Sequence, residues 1–151
     1  MRDLAEIFGD EGPLTRGLPG FRPRSSQLAM ARAVATALEG RGWLVAEAGT
    51  GTGKTFAYLV PALLSGRRVI ISTGTRTLQD QLFHRDLPQL GRVLGRPASV
   101  ALLKGRANYL CRERWLRLPR ELPLESGGRN LAAAVARWAQ VTAEGDLAEV
   151  P

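Results

Sequence analysis

Nine residues, Glu47-Ala48-Gly49-Thr50-Gly51-Thr52-Gly53-Lys54-Thr55, combine three glycines, one ammonium group and three hydroxyls. That mixture suits a polyphosphate, which needs several backbone N–H groups converging on one point, a cation for the outer phosphates and a hydroxyl for a metal ion. Glycines at 49, 51 and 53 let the backbone wrap closely without Cβ clashes. Lys54 is placed to reach the β- and γ-phosphates, Thr55 to ligate Mg²⁺, and a helix starting near Gly53 to aim its N-terminal dipole at the anion. The stretch reads as a P-loop, with Ala48 in the first position where the strict pattern has Gly. Nineteen Arg stand against two Lys in this chain. A Lys at 54 is therefore a choice: a compact ammonium fits a crowded phosphate nest better than a planar guanidinium does.

A P-loop needs a strand before it and a helix after it. Trp43 to Ala46 is an apolar run and Phe56 to Leu64 is helix-like, ended by Ser65-Gly66. Upstream, Met1 to Phe8 reads as a short amphipathic helix, and Gly9 to Gly20, with four Gly and two Pro, as a loop. Ser25 or Ser26 is placed to cap a helix whose apolar positions 28, 30, 31, 34, 35 and 38 run up to Gly40. Arg68 to Thr73 reads as a buried, β-branched strand, and Thr77 to about His84 as a helix stopped by Asp86-Leu87-Pro88. Ala98 to Leu103 reads as a third strand. Strands alternating with helices predict a parallel α/β sheet with the ligand site at the strand C-termini. Beyond Cys111 the pattern changes to a basic stretch (Arg112 to Arg120), a Pro/Gly/Ser loop (Glu121 to Gly128) and an Ala-rich helix (Asn130 to Val141), in which Trp138 has core spacing.

At 151 residues and 44% hydrophobic, the chain can bury a core. A net charge of +7 suits a polyanionic partner such as nucleic acid. The N-terminus has no basic-then-apolar signal pattern, and no apolar run approaches the roughly 20 residues a bilayer crossing needs, so no membrane role is expected. One cysteine, Cys111, excludes an internal disulfide framework and fits a reducing compartment, with the cytoplasm as the expected location.

Four motifs in order carry a more specific resemblance: Phe21-Arg22-Pro23-Arg24-Ser25-Ser26-Gln27, the P-loop, Ile71-Ser72-Thr73-Gly74-Thr75-Arg76-Thr77-Leu78-Gln79-Asp80-Gln81-Leu82, and Leu103-Lys104-Gly105-Arg106-Ala107-Asn108-Tyr109-Leu110-Cys111. From about Pro19 onward the chain resembles the start of the DinG/YoaA-type helicases, bacterial relatives of the XPD-type superfamily 2 DNA helicases. The resemblance implies a RecA-like P-loop NTPase sheet flanked by helices, incomplete here and running into the start of a helical iron-sulfur insertion. It divides the chain into an N-terminal cap and loop (1–20), the first part of motor domain 1 (21–110) and the start of the insertion (111–151).

It also assigns residues. Gln27 matches the adenine-reading glutamine, assisted by Arg24, and a side-chain amide suits the donor and acceptor on adenine's edge. Ala48, Gly49, Thr50, Gly51, Thr52, Gly53, Lys54 and Thr55 bind ATP, with Lys54 and Thr55 catalytic and Thr55 on Mg²⁺. Thr73, Gly74, Thr75 and Arg76 resemble the motif that grips the phosphate backbone of single-stranded or forked DNA, and Thr75 can cap the next helix at the same time. Cys111 matches the first of four cysteines around a 4Fe–4S cluster; in a chain with one cysteine it reads as a free thiol. Lys104, Arg106, Asn108 and Tyr109 flank that position as DNA contacts, with Tyr109 equally a core residue, and His84 reads as a surface residue.

No Asp-Glu-Ala-His type box follows Cys111, and no second motor domain with an arginine finger is present. The expectation is the N-terminal piece of a longer ATP-dependent DNA helicase of repair or replication, inactive alone, with the 5′–3′ polarity that the resemblance implies. Two other classes fit the residues: another P-loop ATPase, whose hydrolysis nucleic acid would not stimulate, or a non-catalytic basic nucleic-acid-binding fragment, indifferent to nucleotide.

Overall fold

The computed structural model describes residues 3–121 and 126–150, which separate into two compact units, 1–102 and 103–151. The first is built on helices. Asp3 caps α1 (Leu4–Phe8) by accepting from the Ala5 N–H, and Leu4, Ile7 and Phe8 are buried. The stretch expected to be only a loop contains a helical turn, α2 (Pro13–Gly17), which starts with Pro at the position where its missing N–H costs nothing and buries Leu14. α3 (Ser25–Gly40) follows; Arg24 rather than a serine occupies its cap position, and Arg41 ends it in the left-handed region at φ 52°. Its buried stripe is Gln27, Ala31 and Ala35, a four-residue repeat whose small members let α4 (Lys54–Leu64) approach closely at Ala57. Phe8, Phe21 and Phe56 form a chain of tilted rings with centroids 6.3 Å apart at each step.

The segment after Thr75 does not stop at Asp86-Leu87-Pro88. α5 (Arg76–Gln81) widens into a π-helical turn (Leu82–Asp86) and continues as α6 (Leu87–Leu94). The widened turn is closed by a bond from the Leu87 N–H to the Leu82 carbonyl. Pro88 falls in the first turn of α6, where a proline is tolerated. Leu82, Leu90 and Leu94 join the core made by α1 to α4.

The expected parallel sheet is not formed. Among the described residues there is no strand, and the single bridge, antiparallel, joins Tyr109 to Asp146. The three runs taken as strands do not pair with one another, and their apolar side chains stand in solvent: Val45 is 96% exposed, Ile70 97% and Leu103 81%. The physical reason is that β-branched composition expresses a preference for a pleated, flanked position, and that preference yields a strand only when a neighbour supplies the ladder. The P-loop family implies such a sheet; this chain's own segments do not supply it.

The second unit contains a 3₁₀ turn (Arg106–Asn108), α7 (Arg112–Glu121), α8 (Ser126–Trp138) and a 3₁₀ turn (Leu147–Glu149). Part of the expected loop 121–128, residues 122–125, lies outside the described residues. Trp138 is buried, as its spacing predicts, and the Ala-rich helix begins four residues earlier than expected. Among the described residues no helix is long and apolar enough to cross a membrane.

Candidate nucleotide site

The P-loop is shaped by two glycines in the left-handed region, Gly51 at φ 73° and Gly53 at φ 81°, the second being the residue from which α4 springs. At Gly53 a second constraint coincides with the first. A Cβ there would lie 2.2 Å from Nε2 of Gln27. The Gln27 amide packs against that bare Cα and donates to the Gly53 carbonyl at 2.9 Å. Twenty-six residues apart in sequence, the two are locked together because α3 and α4 pack side by side.

Gln27 is 4% exposed, and its carbonyl oxygen Oε1 is buried with no hydrogen-bond partner. An unpaired buried acceptor costs on the order of 1–3 kcal/mol, so its retention points to a ligand donor. The Arg24 guanidinium donates to the Gly51 carbonyl, fastening the loop a second time. Thr52 Oγ1 donates to the Gly49 carbonyl at 2.9 Å, and Lys54 Nζ donates to the carbonyls of Ala48 at 2.5 Å and Gly49 at 2.6 Å. In this arrangement the ammonium occupies the loop's own carbonyls.

Thr55 stands beside Lys54 in the first turn of α4. Burial pushes the Tyr58 phenol above its ordinary 10.0; the nearby Thr55 side chain opposes the shift and the charge of Asp86 adds to it.

Beside the loop opens a cleft of about 440 Å³. Gly51 and Gly53 form one wall, Gln27 and Arg24 the floor side, and Phe21 and Phe56 an apolar face. Arg85, Asp86 and Gln89 complete it from the π turn and α6. The buried acceptor of Gln27, the aromatic face and the cationic side chains fit the base and ribose of a nucleotide, and Lys54 and Thr55 fit its phosphates and Mg²⁺. Of the residues expected from the sequence, Arg24, Gln27, Gly51 and Gly53 line the cleft. Sequence reasoning missed the wall from Arg85 to Gln89, for which one signal existed: Asp86 interrupts a four-residue repeat of leucines at 78, 82, 90 and 94.

Thr73, Gly74, Thr75 and Arg76 do not line this cleft. They precede and open α5, where Thr75 Oγ1 accepts from the Leu78 N–H at 3.3 Å and Thr73 Oγ1 donates to the Thr75 carbonyl at 3.1 Å. Gly74, Thr75 and Arg76 are exposed. In the second unit Cys111 is exposed, and Lys104 is buried against Asp146, Nζ to Oδ2 2.7 Å. A cluster with four thiolate ligands does not fit this chain, which has one cysteine, and among the described residues no group of three or more His, Cys, Asp or Glu could hold a metal. His84 is exposed on the π turn, as expected.

The DEAD/DEAH box helicase model matches residues 29–115, more than half of the chain. The chain belongs to the DEAD/DEAH box helicase family. Within that family it is similar to the ATP-dependent DNA helicase YoaA of Haemophilus influenzae, 50% identical over 149 residues, covering 97% of this chain and 23% of that protein. The YoaA helicase of Escherichia coli is 55% identical over 111 residues, covering 74% and 18%. The 3′-5′ exonuclease DinG of Bacillus subtilis is 35% identical over 146 residues, covering 94% and 16%. The chain thus spans less than a quarter of the length of these relatives. No solved structure matches it.

Proposed function

We propose that the protein carrying this chain is an ATP-dependent DNA helicase of the DinG/YoaA kind, acting in repair or replication, and that these residues hold ATP and Mg²⁺. The observation that carries the reading is the Gln27 amide. Its donor is committed to the P-loop at Gly53 and its buried acceptor is left for a ligand, so base recognition and phosphate binding are mechanically one unit. ATP supplies the free energy and Mg²⁺ neutralises its outer phosphates. Lys54 exchanges its carbonyl partners for phosphate oxygens, Thr55 offers its hydroxyl to the metal, and Arg24 holds the loop backbone. Gly74, Thr75 and Arg76, exposed at the start of α5, grip the phosphate backbone of single-stranded or forked DNA with Thr73.

The proposed division is a cap and loop (1–20), a motor segment (21–110) and the start of an insertion (111–151). The acidic metal-holding box, the second motor domain and any further thiolates for a cluster at Cys111 would come from other parts of the full polypeptide. The proposed polarity is 5′ to 3′ and the proposed compartment the cytoplasm.

The test is strand separation by the full-length protein with ATP, Mg²⁺ and forked DNA. Lys54→Ala should reduce DNA-stimulated hydrolysis by about a hundredfold or more. Unwinding that survives Lys54→Ala unchanged, or hydrolysis indifferent to DNA, would overturn the assignment.

A further inference from the structure

Asp86 is 1% exposed and sits among leucines, yet it is a carboxylate. Both of its oxygens are engaged: Gln81 Nε2 donates to Oδ2 at 2.9 Å and Arg85 Nε to Oδ1 at 2.8 Å. Stability alone does not call for a carboxylate here, because a buried charged group is commonly matched or bettered by an apolar residue of similar volume. Consecutive residues on a helix face different directions, so the Arg85 side chain must fold back along the widened turn to reach its neighbour. The Nε bond uses one of five guanidinium donors. The remaining donors belong to a side chain that is 61% exposed and lines the cleft.

The cleft addresses the nucleoside end of a nucleotide. Its P-loop wall is Gly51 and Gly53, whereas the Lys54 ammonium rests on the carbonyls of Ala48 and Gly49. We infer that Arg85 is a nucleotide-recognition residue that donates to the ribose or base of the bound nucleotide, and that Asp86 is its positioning residue, fixing the guanidinium at the cleft wall. A guanidinium left free on a solvent-exposed stem loses rotamer entropy on binding; one tied at Nε has lost much of it beforehand. Because α5 begins at Arg76 and leads into the turn bearing Arg85, this residue also places the nucleoside contact on the helical stretch that opens with the proposed DNA grip. The inference rests on the nucleotide reading of the cleft.

The experiment measures binding of ATP, and its displacement by inorganic tripolyphosphate, to the full-length protein. Arg85→Ala, on an exposed side chain, should weaken ATP about tenfold to a hundredfold and leave tripolyphosphate within twofold. Lys54→Ala should weaken both ligands. Asp86→Asn should weaken ATP to a similar degree as Arg85→Ala, and the double variant should bind no worse than Arg85→Ala alone, since both changes remove one contact. Unchanged ATP affinity in Arg85→Ala, equal losses on both ligands, or tripolyphosphate failing to displace ATP from the unsubstituted protein overturns the inference. So does an Asp86→Asn loss that persists undiminished in the Arg85→Ala background, which would mark a structural role. If the unsubstituted protein binds ATP and Arg85→Ala is silent, this inference alone falls; if the unsubstituted protein binds neither ligand, the reading of the cleft falls with it.

Discussion

The two units are held together by opposite means. In 1–102 the interior is apolar: Phe8, Leu14, Leu59, Leu90 and Leu94 are each no more than 2% exposed. In 103–151 the one buried apolar side chain among the described residues is Trp138, and the organising contact is polar. Lys104 pairs with Asp146, Asp146 Oδ1 accepts from the Ala148 N–H at 3.0 Å, the Tyr109 hydroxyl accepts from the Lys104 N–H at 2.8 Å, and the Leu110 N–H donates to Gly145 at 2.9 Å. The contrast teaches where the chain's two lysines went. Each holds a tight internal geometry, Lys54 on two carbonyls and Lys104 on a carboxylate, while the Arg-rich remainder supplies most of the positive charge. Lys104, expected as a DNA contact, and Tyr109, expected as a DNA contact or equally a core residue, are parts of this clasp.

The comparison can be broken at its strongest point first. Asp146→Ala removes the carboxylate that Lys104 pairs with at 2.7 Å and should cost about 3–5 kcal/mol, seen as faster hydrogen exchange at amides of the second unit. Leu59→Ala empties a site in the apolar unit and should cost about 2–5 kcal/mol in a denaturant melt. Protection of 103–150 that survives the Asp146 change intact would show that the polar clasp is incidental. Gly53→Ala should cost about 1–3 kcal/mol through its left-handed backbone, and it should also displace the Gln27 amide and so weaken ATP binding. A Gly53→Ala protein that binds ATP normally would detach Gln27 from the loop.

The smallest effect is alkaline. Tyr58 has a raised pKa in the folded state, so its stabilising contribution is complete below the unfolded value near 10 and is lost as pH rises through the folded value. Melting temperatures above pH 10 should therefore fall more steeply for the natural protein than for Tyr58→Phe.

Much of the candidate site was legible in the sequence because its loop follows local rules. A P-loop is set by adjacent residues, and Gln27 was singled out by the family resemblance. That the expected sheet would not form among the described residues was not legible, since strand pairing is a relation between segments and Val45 or Ile70 carries no record of its neighbour. The Arg85–Asp86 wall was hidden by Pro88, which reads as a helix stop although it falls in the first turn of α6. The loop expected from Gly9 to Gly20 hid α2 for a similar reason: Pro13 starts a helix as readily as it breaks one.

The widened turn at Leu82–Asp86 also keeps time. Residues 78, 82, 86, 90 and 94 repeat every fourth position, but an α-helix of 3.6 residues per turn carries such a series around its axis by about 40° at each step. Over four steps the last leucine would come to face away from the first. A turn with more residues takes back part of that rotation, which resets the phase midway and returns Leu90 and Leu94 to the buried side with Leu82. Removing a single residue between 82 and 86 would therefore do more than shorten a helix. It would swing the α6 leucines out of register with the interior and carry the wall of the cleft with them.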